Sequence, residues 1–394
     1  MRDVVIAAAC RTAIGTFGGS LKSLSAVALG SIVIADALKR ARLSPEGVDE
    51  VIMGNVLQAG LGENPARQCS VNAGVPVEVP AFTVNKVCGS GLKAVALAAQ
   101  AIAVGDADVV VAGGMESMSN APYLLAGARW GLRMGDEPVV DSMLRDGLLD
   151  PFTGDHMGIT AENVAERFGI GRAEQDAFAS ESIRRAQAAI AAGHFGEEIV
   201  PVEITQRKAA SFMFDTDELP RSRPAPDVMS TLRPAFKKDG TVTAGNASGI
   251  NDGAAAAVLM SAERAERLGL APIARVRGYA AAGVEPKLMG IGPVAAAPRA
   301  LARAGLKLSN MELIEANEAF AAQALAVARE LHLPADITNV SGGAIALGHP
   351  IGASGCRILV TLIYGMRRLS RRFGLATLCI GGGQGIALVV ERDP

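Results

Sequence analysis

The chain has 394 residues, 49% of them apolar and only 4% aromatic, which is enough for two or three domains around close-packed Ala, Val, Leu and Ile. A formal net charge of −2 gives no electrostatic footprint for nucleic acid or an acidic membrane surface. Five cysteines (Cys10, Cys69, Cys88, Cys356 and Cys379) with no CxxC pair argue against a disulfide framework and a zinc site.

No stretch approaches the ~20 apolar residues of a membrane span. Neither terminal sequence resembles a targeting signal, so a cytoplasmic protein is expected.

The first ~120 residues alternate β runs and helical stretches, which predicts a covered α/β sheet. Strands are expected at Val4–Ala8, Glu50–Asn55, Ala81–Val84 and Val109–Ala112, and a helix at Ala26–Ala41. Leu92, Val95, Ala96, Ala99 and Ile102 carry helical spacing and mark another helix. Residues 121–247 read as a loop domain laid over a site. It holds two amphipathic helices (Thr160–Phe168 and Ala173–Ala192) and a Pro/Arg-rich loop at Leu219–Pro234. From about 272 the α/β alternation returns and repeats the first part, so the fold class is α/β with duplicated βαβαβ halves. The expected division is 1–120 plus about 248–271, then 121–247, then 272–394.

Chemistry concentrates at glycine-rich turns. Cys88, in Cys88-Gly89-Ser90-Gly91, follows a strand and precedes a helix. Free N–H groups at a helix start favour a thiolate and can stabilise an oxyanion. His349 sits between Gly348 and Pro350, a rigid setting suited to a general base. Cys379 ends a strand before Gly381-Gly382-Gly383 and offers a second thiol. A Cys–His pair fits acyl transfer, and a second thiol adds a proton transfer α to a thioester. Cys10, Cys69 and Cys356 read as core, and His194 and His332 as surface residues. His156, inside the loop domain, reads as a ligand contact. The basic cluster Arg221, Arg223, Arg233, Lys237 and Lys238 is either a solvated face or a phosphate site.

Five segments together resemble the thiolase family over essentially the whole length, closest to its short-chain biosynthetic members. They are Asn85–Ala94, Gly245–Gly249, Asn317-Glu318-Ala319-Phe320, Gly342–Gly355 and Cys379–Gly385. The resemblance implies a layered α/β/α/β/α core and an acetyl-CoA C-acetyltransferase. Such an enzyme condenses two acetyl-CoA reversibly to acetoacetyl-CoA and CoA through an acetyl-Cys88 intermediate. A broader 3-ketoacyl-CoA thiolase of fatty-acid degradation is the alternative.

By the same resemblance His349 activates Cys88, and Cys379 moves the α-proton. Asn317 positions a water at the enolate oxygen, and the amides of Cys88 and Gly381 form an oxyanion hole. His156, Met157, Arg221, Ser248, Met289 and Phe320 line the path of coenzyme A and the acyl pocket. No metal or prosthetic group is implied, because the CoA thioesters are substrates. A homotetramer built from dimers is implied, with Tyr123–Met134 joining the dimers. Val228 and Ser341 depart from the family pattern, where serine and asparagine are usual.

Overall fold

The computed structural model describes residues 1–205, 210–223 and 225–393, so Pro224 of the Pro/Arg-rich loop lies outside the described residues. The first half runs β1 (Val4–Thr12), α1 (Ala26–Arg40), β2 (Glu50–Gly54), α2 (Pro65–Asn72), β3 (Ala81–Val84), α3 (Ser90–Val104) and β4 (Val109–Ser117). Between β4 and the next long strand stand α4 (Met157–Phe168) and α5 (Arg172–Ala191). Then come β5 (Asn251–Ser261), β6 (Ala274–Gly283), α6 (Gly292–Ala304), β7 (Leu313–Ala316), α7 (Ala321–Leu331), α8 (Ile351–Arg368), β8 (Phe373–Ile380) and β9 (Gln384–Glu391).

Hydrogen bonding orders the long strands β7-β8-β9-β6-β1-β5-β4-β2-β3. The path is two half-sheets with a thin seam, since β1 and β6 pair only at Val5↔Arg275 and Ile6↔Ala274. In each half the same plan recurs. β2 runs parallel to β4, which pairs antiparallel with β5; β7 runs parallel to β8, which pairs antiparallel with β9.

The duplicated arrangement follows from where apolar surface is buried. One core cluster joins Ile6, Val110 and Leu259 of the first half-sheet to Leu378 and Leu388 of the second through Leu92 and Val95 of α3 and Ile358 and Leu362 of α8. Those two helices form the central layer. α1 covers the outer face of the first half-sheet and α6 that of the second. The result is the five-layered α/β/α/β/α core.

Two strands run past their expected ends. β4 continues through Gly113 and Gly114 to Ser117, because its ladder with β5 continues at Gly113↔Ala256 and Gly114↔Ala255. A glycine pair that reads as a turn serves here as strand. β1 likewise reaches Thr12, buried throughout.

The segment Val87–Val104, with mean hydropathy 1.6, is long and apolar enough by composition alone to cross a membrane. Its helix α3 has 15 residues and packs its apolar side into the central layer, which accounts for the apolarity.

α3 and α8 start in direct contact, and glycine is the reason. A Cβ on Gly355 would stand 2.4 Å from Leu92 N, and one on Gly91 would stand 2.8 Å from Cys356 N. Only glycine lets the two helices approach this closely. Cys88 precedes one of these helices and His349 precedes the other.

Candidate active site

Cys88 sits on a tight elbow between β3 and α3. Ser90 Oγ donates to Val87 O at 2.6 Å and accepts from Lys86 N at 2.8 Å. Val87 adopts φ 46°, a left-handed conformation that a β-branched side chain resists. Backbone strain of this kind is often kept where a side chain must be aimed.

The start of α3 does not make the Cys88 thiol acidic, contrary to the expectation from its place before a helix. The Gly89 and Ser90 amides are engaged by Lys86 O and Val87 O at 3.0 Å each, so they do not serve the sulfur. Burial pushes the Cys88 thiol up to about 11, and the Gly381 amide, which hydrogen-bonds it, only partly opposes this. The resting nucleophile is a protonated thiol that needs a base.

His349 is that base in form. Its N–H donates to Asn251 Oδ1 at 2.9 Å, and Gly348 before it takes φ 114° against the Asn251 side chain. Ser354 Oγ donates to Pro350 O at 2.8 Å, which uses its one proton. The 2.6 Å contact from His349 Nδ1 to the same oxygen is therefore Nδ1–H donating. Nε2 is left as a buried lone pair without a partner among the described residues. Burial, and then the charge of Arg357, hold the imidazole down to about 3, so it is neutral.

Cys379 is the penultimate residue of β8 and 1% exposed, and burial followed by the nearby Cys88 raises its thiol strongly. Asn317 follows β7, its N–H donating to Thr377 O at 3.0 Å. Both polar atoms of its buried side-chain amide lack partners among the described residues.

A cavity of about 420 Å³ brings most of the expected residues together. Cys88, His349, Cys379, His156, Met157, Ser248, Met289 and Phe320 all line it. Asn317 and Gly381 are not in its lining, and Gly381 lines an adjoining cavity that shares Gly147 and Met157 with it. Arg221 is exposed on a turn outside it, and Arg223 takes the lining place two residues on. The wall of Leu148 and Phe236 carried no motif and was missed, and Ile351, inside the His349 motif, was given no role of its own.

His156 caps α4, its Nδ1 accepting from Gly158 N at 3.0 Å, and its ring stacks on Phe236 at 4.6 Å. That contact leaves Nε2–H as its donor. Glu318 was also passed over as a separate functional residue. Its buried carboxylate accepts from Ser182 Oγ (2.6 Å), Asn339 Nδ2 (2.8 Å) and Ile345 N (3.3 Å). It thereby ties the Asn317 loop to the segment leading to His349, and its adjacency to Asn317 was the available signal. Ser341 is buried and accepts from Arg368 Nη2, whereas Val228 is exposed. Cys10, Cys69 and Cys356 are buried core.

Family models described as thiolase, N-terminal domain, and thiolase, C-terminal domain, match residues 4–263 and 270–392. The chain belongs to the thiolase family. Among relatives of this thiolase, the acetyl-CoA acetyltransferases of Pseudomonas aeruginosa and Escherichia coli are each 60% identical over 393 residues, covering 100% of both chains. The crystal structure of the Bacillus anthracis acetyl-CoA acetyltransferase superposes on this thiolase with a TM-score of 0.97 at 46% identity, covering 100% of this chain and 99% of that one.

Proposed function

We propose that this thiolase is an acetyl-CoA C-acetyltransferase working through an acetyl-Cys88 intermediate. The observation that carries the reading is two thiols and a bare imidazole Nε2 on one cavity. With the thiol near 11 and the imidazole near 3, a resting ion pair is uphill, so proton transfer accompanies attack.

Cys88 Sγ gives its proton to His349 Nε2 and attacks the thioester carbonyl of acetyl-CoA. The carbon–sulfur bond to CoA breaks, and the departing thiolate takes the Cys379 proton. Cys379, now a thiolate, removes an α-proton from a second acetyl-CoA. The enolate attacks the acetyl-Cys88 carbonyl, and Cys88 leaves with the proton held on His349. Acetoacetyl-CoA and CoA are released, and both thiols are restored. The Cys88 and Gly381 amides serve the first oxyanion, and His349 with an Asn317-held water serves the enolate.

Met157 and Met289 close the acyl end, which favours short chains; methionine adapts to shape, so modest branching is accommodated. CoA thioesters act as substrates with no prosthetic group, and His156, Arg221, Ser248 and Phe320 belong to their binding path. The loop segment 121–247 covers the site as a unit set on the two halves, 1–120 plus about 248–271 and 272–394. Free thiols suit a reducing cytoplasm. A homotetramer is part of the proposal, supported by the exposure of Trp130 (84%) and Met134 (99%).

Incubation with acetyl-CoA followed by peptide mass spectrometry tests the reading. The expected result is an acetyl group on Cys88, discharged by free CoA. A folded, CoA-binding protein that carries no such adduct refutes it.

A further inference from the structure

Among the described residues, Arg223 is the one lining the Cys88 cavity with a full charge at neutral pH. The other titratable lining groups are Cys88, Cys379, His156 and His349, and burial drives each toward its neutral form. The rest of the wall is largely apolar, with Met118, Leu148, Met289 and Phe320 among it.

Main-chain carbonyls, not a carboxylate, hold this guanidinium. Nη1 donates to Ala244 O at 2.7 Å and Nη2 to Ala247 O at 2.8 Å. Nε is buried and finds no partner among the described residues. Glu318, the acid that acts on it electrostatically, is already taken by three donors. Burial pushes the Arg223 guanidinium down to about 10, so keeping its charge here has a cost. A cation fixed in an apolar wall with no ion-pair partner among the described residues is suited to recognising an anionic ligand.

Its place along the cavity says which anion. Ala244, whose carbonyl holds Nη1, is exposed, whereas the reacting residues Cys379 and His349 are buried. We propose that Arg223 reads the phosphates of the substrate's carrier at the cavity mouth, and not the acyl group at the thiols. This rests on the CoA-thioester reading above. It singles out one member of the basic cluster, while Arg221 remains on the exposed turn.

The test compares wild type, Arg223→Met and Arg223→Lys in thiolysis of acetoacetyl-CoA and of S-acetoacetylpantetheine, which has no phosphate. Calorimetric titration with CoA and with pantetheine accompanies it. Loss of a charge-assisted contact predicts a KM for acetoacetyl-CoA and a Kd for CoA raised about tenfold or more in Arg223→Met. The effect on the pantetheine compounds should be several-fold smaller, kcat should move much less than KM, and Arg223→Lys should recover part of the preference for CoA.

Equal losses on both carriers would reduce Arg223 to a clamp for the 244–247 segment and overturn the proposal. An unchanged Arg223→Met also overturns it. So does a loss seen chiefly with 3-ketoacyl-CoA carrying a terminal carboxylate, which would assign the charge to the acyl end. Should Arg223→Met fail to fold, Arg223→Lys decides: a weakening larger for the CoA compounds than for the pantetheine compounds supports the proposal, and an equal effect on both carriers, or none, overturns it. A wild type that binds CoA without turnover would sink the proposed reaction alone, and the CoA titrations would still decide on Arg223.

Discussion

His349 gives its Nδ1–H to Ser354 Oγ at 2.6 Å, and that contact decides which ring nitrogen is left to act. Ser354 can only accept there, because its own proton goes to Pro350 O. In Ser354→Ala the imidazole loses the partner that fixes its tautomer and orientation. Removing an orienting partner of this type costs about 10- to 100-fold in function. Steady-state kinetics of Ser354→Ala should show that loss mainly in kcat, with the thermal midpoint little changed. Wild-type kcat in the variant would mean that the ring is fixed by its surroundings instead.

The two thiols divide the reaction, and a single atom change separates their parts. Cys379→Ser keeps shape but makes the group that must exchange the α-proton far less acidic. Condensation and thiolysis should fall by at least about three orders of magnitude, in keeping with loss of a positioned acid–base group. Acetyl transfer onto Cys88, read as exchange of labelled CoA into acetyl-CoA, should survive in part. A variant that loses both together would make the Cys379 proton as indispensable to the departing CoA thiolate as to the α-carbon.

The pH behaviour follows from two opposite shifts. The Cys88 thiol lies near 11 and is reactive only when deprotonated, so its alkylation rises with pH. Iodoacetamide inactivation of the free enzyme should climb about tenfold per unit between pH 7 and 10. His349 lies near 3 and stays neutral over that range, so it adds no inflection near 6.5. Its linkage to folding has a definite sign. The folded-state value is depressed below the unfolded 6.5, so the unfolded chain binds the extra proton and this contribution to stability is lost as pH falls below about 6.5. A thiol titration centred near 7 would show that the site lowers the Cys88 value far more than burial raises it.

Much of this was legible in the sequence because the reactive groups stand at turns whose glycines mark them. Cys88, His349 and Cys379 arrive from three separate segments at one cavity. The duplication was legible because strand and helix alternate twice with matching spacing. What could not be read was contact between distant segments. Nothing local distinguishes Gly113-Gly114 inside a buried ladder from a turn, or Arg223 from Arg221. The acidity of Cys88 was misjudged for the same reason: the amides at the start of α3 bind carbonyls within the elbow, and the donor that reaches the sulfur, Gly381, is 293 residues away by numbering (381 − 88).

The approach of α3 to α8 gives the last prediction, because it links packing to catalysis. Gly355→Ala places a Cβ 2.4 Å from Leu92 N and 2.8 Å from Leu92 Cβ, and the first of these is backbone that no rotamer change moves. The helices must separate, at a cost of about 1–3 kcal/mol by the usual range for overpacked cores. Since one helix follows Cys88 and the other follows His349, the proton path between them lengthens. Acetyl-Cys88 formation should therefore fall more than stability alone accounts for, read as the single-turnover rate at a temperature where the variant is fully folded. Gly171→Ala is the matched control, because its Cβ meets nothing within 4 Å and its φ is ordinary. If Gly355→Ala matched that control in both midpoint and single-turnover rate, the close crossing would have no part in aligning the site.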